Sequence, residues 1–227
     1  MDLAVTEFLS GLMAIVLLDL VLAGDNAIVI ALAARKLPRD IQKKAVLWGT
    51  LGAIVVRLAL TGVVVYLLKL PGLMLVGGLL LLPIAWKLLK PDDHASHHIG
   101  AAGSFWTAMR TIIVADALMG MDNVLAIAGA AKGHMALVVI GLAIIVPLVV
   151  WGSSLILRLI ERFPVIVYLG AGAIAWTAAR RIAHDHWVSP WFDAHEWARY
   201  VLDAVLVTVV CAGGWWMQRR RRAQTAA

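Results

Sequence analysis

Asp19-Leu20-Val21-Leu22-Ala23-Gly24-Asp25-Asn26 sits inside one apolar run, and Asp116-Ala117-Leu118-Met119-Gly120-Met121-Asp122-Asn123 sits inside another. The spacing from the first Asp to the Asp-Asn pair is identical in both. A carboxylate at the centre of a membrane helix costs about 2.5–3.5 kcal/mol on insertion scales, so four of them at matched places are not incidental. At about 100° per residue, Asp19 and Asn26 share a helix face while Asp25 lies roughly 100° away, and the second copy repeats this. Gly24 and Gly120 stand close to the acidic pairs, and a local helix break is expected at each.

Working outward, the chain reads as membrane-embedded throughout. Of its 227 residues 62% are hydrophobic and 15% charged, against roughly 45–50% and 25% in a globular domain. That balance excludes a water-soluble enzyme. Breaks made by Pro, Gly and charge separate seven apolar segments, approximately 8–33, 44–68, 72–89, 105–131, 135–159, 164–183 and 199–217. The expected fold is all-α: a polytopic protein with seven transmembrane helices, forming a single transmembrane domain over residues 1–227.

The first three segments and the next three echo one another beyond the Asp motif. Trp48-Gly49 matches Trp151-Gly152, and Ile84-Ala85-Trp86 matches Ile174-Ala175-Trp176. Repeat 1 therefore covers about 8–89 and repeat 2 about 105–183, with an accessory helix at 199–217. Because three is odd, the second repeat enters the membrane from the opposite side, giving an inverted repeat whose halves are expected to rock against each other. Pro83 and Pro147 are candidate kinks.

Charge placement sets the expected orientation. Arg35, Lys36, Arg39, Lys43 and Lys44 crowd one expected loop, and Arg219–Arg222 form a basic tail. Both are expected in the cytoplasm, with the N-terminus outside and the C-terminus inside a cytoplasmic membrane. Arg180 and Arg181 fall on the outer side, against that bias. A nucleic-acid partner is not expected, since no basic face on a folded domain accompanies the charge. Cys211 is the lone cysteine, which rules out a disulfide within the chain. The opening run lacks a basic leader and reads as a retained span, not a signal peptide.

Carboxylates, amide oxygens and backbone carbonyls are hard ligands, suited to Mg, Ca or Mn. Asp19, Asp25, Asn26, Asp116, Asp122 and Asn123 are thus the candidate metal ligands, for a divalent cation that is cargo and not a cofactor. Met119 and Met121 are candidate soft ligands that would tilt preference toward a transition metal. Arg57, deep in the second segment, is the candidate counter-charge, while Arg110, Arg158 and Lys87 are expected to snorkel. Asp92, Asp93, His94, His97 and His98, and separately His184, Asp185, His186, His195 and Glu196, read as solvated polar loops. Trp187, Trp191, Trp197, Trp215 and Trp216 read as interfacial anchors.

With Gly24-Asp25-Asn26-Ala27 in the first segment and Met121-Asp122-Asn123-Val124 in the fourth, residues 8–183 resemble the TerC family of integral membrane proteins, in the LysE transporter superfamily. The short chain is similar to its small YjbE-like branch. The resemblance implies a seven-helix fold and Mn(II) efflux by alternating access, with the motif Asp and Asn residues as ligands. The partners would be the metal ion and the bilayer, with a homo-oligomer admitted. The alternatives are an accessory membrane protein that supplies metal to secreted enzymes, and an exporter of another small solute such as an amino acid. An intramembrane aspartyl hydrolase using Asp25 and Asp122 lacks its expected Gly-x-Gly-Asp, since position 22 is Leu22. No enzymatic activity is expected.

Overall fold

A chain that must satisfy its backbone N–H and C=O groups without water folds into helices, and every regular element among the described residues is one. The computed structural model describes residues 2–67, 70–89, 101–131 and 134–225. Within them, the side chains of residues 2–5, 18, 21–25, 64, 65, 67, 101–104, 121, 122, 125 and 220–225 lie outside the described part. The helices are α1 (Asp2–Ala34), α2 (Arg39–Leu67), α3 (Leu73–Leu89), α4 (Ala101–Met119), α5 (Met121–Ala131), α6 (Met135–Arg162), α7 (Val165–His184), α8 (Ser189–Ala194) and α9 (Glu196–Thr225).

These helices overlap all seven expected segments. Arg39–Val63, Met135–Arg162, Val165–His184 and Glu196–Arg219 are each long and apolar enough to cross a bilayer on length and composition alone. α3 is shorter, at 17 residues, and α4 and α5 share one segment. Large apolar side chains such as Val55, Tyr66, Trp151 and Leu169 face outward with more than half their surface exposed. In water that would be an aggregation hazard; against lipid it is the expected exterior. α3 and α6 run on through Pro83 and Pro147.

Two expectations about local structure are corrected. The basic loop expected over 35–44 is shorter, because α2 already begins at Arg39. Pro38 starts the helix by accepting from the Ile41 and Gln42 amides, and the Gln42 side chain donates to the Leu37 carbonyl at 2.9 Å. The break expected at Gly24 is also absent, since α1 is continuous from Asp2 to Ala34. A lone glycine weakens a helix by only about 1 kcal/mol, less than exposing backbone to lipid. Gly120 does separate α4 from α5, by that one residue.

The helices gather into two compact units that do not follow the repeats. Unit 1, residues 1–67 and 105–157, holds α1, α2, α5 and most of α4 and α6. Its core joins Ile15 of α1 to Ile127 and Ala131 of α5 and to Leu137, Val138 and Leu142 of α6. A second cluster sets Leu37 and Ala45 against Ala108.

Unit 2, residues 68–104 and 158–227, holds α3, α7, α8 and α9. α7 presents a stripe of buried small residues, Gly170, Ala171, Ala175, Ala178 and Ala179 among them, and α3 packs closely on α7. At Gly78 an added Cβ would lie 2.7 Å from the Ala178 carbonyl oxygen, so this approach requires glycine, as small-residue membrane packing does in general. Each unit's core therefore mixes helices from both repeats. Rocking one repeat rigidly on the other, as expected from the sequence, would tear both cores.

Unit 2 also absorbs charges that the sequence left loose. Asp185, expected in a solvated loop, is buried. Its carboxylate accepts from the Leu75 amide at 3.0 Å and from the Trp187 amide at 3.0 Å. It thus caps the first turn of α3, whose N–H groups have no partner within the helix. Arg180 pairs with Asp203 of α9 at 3.3 Å and lies over the Trp176 ring, while Trp176 Nε1 donates to the same carboxylate. Arg180 thus has a charged partner and a ring partner within unit 2.

Candidate ion site in unit 1

The site grows from one face of α1. Asp19 and Asn26, seven residues apart, are both buried and both line the same small cavity. α2 contributes Thr50 and, seven residues further, Arg57; α4 contributes Asp116. Ile30, Ile54 and Ile145 are among the apolar side chains that close the walls. The cavity holds about 20 Å³, room for one water-sized body, since one water needs roughly 10–15 Å³ on the same measure. An ion seated there sheds most of its hydration shell.

Arg57 binds both motif copies at once. Its Nη1 donates to Asp19 Oδ1, and its Nη2 donates to Asp116 Oδ1 at 2.8 Å. All three side chains are buried, Arg57 at 5% exposure, Asp19 at 1% and Asp116 at 8%. The planar guanidinium can reach two carboxylates in one plane, which an ammonium cannot do with the same fixed geometry. Counting these three groups, the triad carries a net charge of minus one. Asp19 Oδ2, Thr50 Oγ1 and Arg57 Nε have no hydrogen-bond partner among the described residues. Buried polar atoms are normally satisfied, so an acceptor oxygen and a hydroxyl left over beside a cavity mark a place for a polar guest.

Gly120 is where the second helix yields. Its amide donates to the Asp116 carbonyl at 2.6 Å, and Val124 N donates back to the Gly120 carbonyl at 2.9 Å. A Cβ at this turn would stand 2.7 Å from the Asp116 carbonyl oxygen and 3.4 Å from Arg57 Nε and Nη2. Both bonds keep the i→i−4 spacing of an α-helix, so the interruption between α4 and α5 is one residue long and the hydrogen-bond ladder runs on across it. At Gly24 no such interruption occurs, so the two motif copies are equivalent in sequence but not in backbone.

Of the expected ligands, Asp19, Asn26 and Asp116 are brought together around the cavity, with Arg57 between the two carboxylates. Asn123 is buried in the same unit. Met119 is buried at the end of α4. The side chains of Asp25, Asp122 and Met121 lie outside the described residues, as do Asp92, Asp93, His94, His97 and His98 altogether. Among the described residues no three His, Cys, Asp or Glu side chains group as a metal centre. Thr50 was not singled out from the sequence. A threonine in an apolar helix carries no signal, although its seven-residue spacing from Arg57 places both on one face.

A helical chain with a lipid-compatible exterior marks an integral membrane protein, and a buried charged cavity within it is consistent with a transporter. It belongs to the TerC family: the profile described as integral membrane protein TerC family matches residues 4–222. The chain is 41% identical over 204 residues to the uncharacterized membrane protein YjbE of Bacillus subtilis (strain 168), covering 90% of this chain and 93% of that one. It is 28% identical over 179 residues to the inner membrane protein YoaE of Escherichia coli (strain K12). That match covers 70% of this chain and 34% of YoaE, so the chain corresponds to about a third of that relative. No solved structure matches it significantly.

Proposed function

We propose that this protein moves a divalent cation, Mn(II) first among candidates, out of the cell across the cytoplasmic membrane by alternating access. The observation that carries this reading is the meeting of Asp19 and Asp116, the leading residues of the two motif copies, beside a small, mostly apolar cavity that Asn26 and Thr50 also line. Two carboxylates, an amide and a hydroxyl form a hard donor set that suits Mg, Ca or Mn. Asp25, Asp122 and Asn123 would complete it. The choice of manganese comes from the family resemblance; the donor chemistry reaches only as far as a hard divalent ion. The orientation, N-terminus outside and C-terminus inside, follows from the basic segments around Arg39 and Arg219.

The test is manganese efflux from preloaded cells carrying the wild-type chain or one of Asp19→Asn, Asp25→Ala, Asp116→Asn and Asp122→Ala. Efflux above the empty-vector level is expected for wild type, with loss in each variant that still inserts in the membrane. Undiminished efflux in all four would reject the assignment. Specific thermal stabilisation of the purified protein by Mn(II), and not by Zn(II), is expected from the same ligand set.

A further inference from the structure

We propose that Thr50 is a direct ion ligand and the specificity-determining residue of the cavity: its hydroxyl, together with the Asp19 oxygen that Arg57 leaves open, selects hard cations over soft ones. The inference rests on the transport reading above and names what sets the selectivity of that same site.

A hydroxyl on a membrane helix ordinarily turns back onto its own backbone. Thr61 donates to the Arg57 carbonyl at 2.8 Å, Thr111 to the Thr107 carbonyl at 2.8 Å and Ser154 to the Val150 carbonyl at 2.8 Å. Thr50 does not. It is buried, at 4% exposure, it lines the cavity, and its Oγ1 has no partner among the described residues. A buried hydroxyl that forgoes the backbone bond costs stability, and a guest in the cavity is what offsets that cost. Asp19 is arranged in the same way. Arg57 Nη1 donates to its Oδ1, while its Oδ2 is left without a partner. The guanidinium thereby fixes the carboxylate and leaves its second oxygen for the guest, as groups standing behind metal ligands commonly do.

Thr50, Ala53, Ile54 and Arg57 follow at helical spacing on α2 and all line the cavity, so hydroxyl and guanidinium share one face of that helix. The polar side chains among the described lining residues are two carboxylates, an amide, a hydroxyl and the guanidinium. They include neither sulfur nor imidazole. Met119, expected as a soft ligand, is not among them. A cavity of about 20 Å³ takes an ion stripped of most of its water, and a neutral hydroxyl oxygen replaces a water oxygen in kind. Hard ions such as Mg, Ca and Mn keep the donor type they lost. An ion that favours thiolate gains nothing in exchange for its water. Position 50 therefore decides the preference, and a sulfur placed there should reverse it.

The experiment titrates the purified full chain with Mn(II) and with Cd(II), in a Cys211→Ser background that leaves no native thiol. Thr50→Val, nearly the same shape without the hydroxyl, is expected to weaken Mn(II) binding by roughly tenfold or more, at least the cost of losing a group that merely supports a ligand. Its Tm without metal should hold or rise, because the orphaned hydroxyl is gone. Thr50→Ser should bind Mn(II) as the parent does. Thr50→Cys should shift preference to Cd(II), which displaces the thiol proton to the medium and gives an ultraviolet sulfur-to-cadmium charge-transfer band that the parent lacks. Unaltered Mn(II) affinity in Thr50→Val means that the hydroxyl meets water only, and overturns the inference while the transport reading stands. A folded Thr50→Cys protein without the cadmium band overturns it equally, and decides the matter if Thr50→Val does not fold. Failure of the parent to bind Mn(II), or to move it across liposomes, overturns the transport reading itself.

Discussion

The charge count of the buried triad fixes an order of stabilities that can be measured without any transport assay. Arg57→Leu leaves Asp19 and Asp116 facing each other, buried and uncompensated. Removing one partner from a buried ion pair costs about 3–5 kcal/mol, which for a chain of this length is a fall of about 6–20 °C in Tm. Asp116→Asn behaves differently. Its amide oxygen still accepts from Nη2, and the remaining Arg57–Asp19 pair is neutral, so the loss is that of one charge-assisted bond made ordinary, about 1–2 kcal/mol. The triple change Asp19→Asn, Asp116→Asn, Arg57→Leu removes every charge and is expected to recover most of the loss, as neutral replacements of buried ion groups do. The assay is thermal unfolding of the four proteins in one detergent, with helical circular dichroism confirming the folded state before heating. If Asp116→Asn lowers Tm as far as Arg57→Leu, or if the triple variant is the least stable, then net charge at this site is not what governs its stability.

Gly120→Ala drives a Cβ toward the Asp116 carbonyl and against the guanidinium. An overpacking cost of about 1–3 kcal/mol is expected, read as a lower Tm, together with weakened Mn(II) binding because Asp116 must shift. Gly24→Ala, in an unbroken helix, is expected to leave Tm unchanged or raise it slightly. Asp185→Ala strips the acceptor from the Leu75 and Trp187 amides, costing about 1–3 kcal/mol. Faster hydrogen exchange confined to the first turn of α3 would be its signature, and unchanged protection there would rule out the cap.

The sequence by itself determined that the chain is helical and lives in lipid, roughly where its apolar segments begin and end, and that two matched Asp motifs lie within them. Those are local properties: hydropathy over some twenty residues decides insertion, and the angle per residue decides that Asp19 and Asn26 share a face. Arg57 was expected there as counter-charge, but which carboxylates it would meet was not legible. Arg57 reaches Asp19 across 38 positions and Asp116 across 59, and only packing brings them to one guanidinium. The same packing decided that Thr50 lines the cavity and that Asp185 is buried under α3 and not dissolved in a loop. It also decided that helices of the two repeats share each core, because side-chain fit between helices, unlike insertion, depends on residues far apart in the chain.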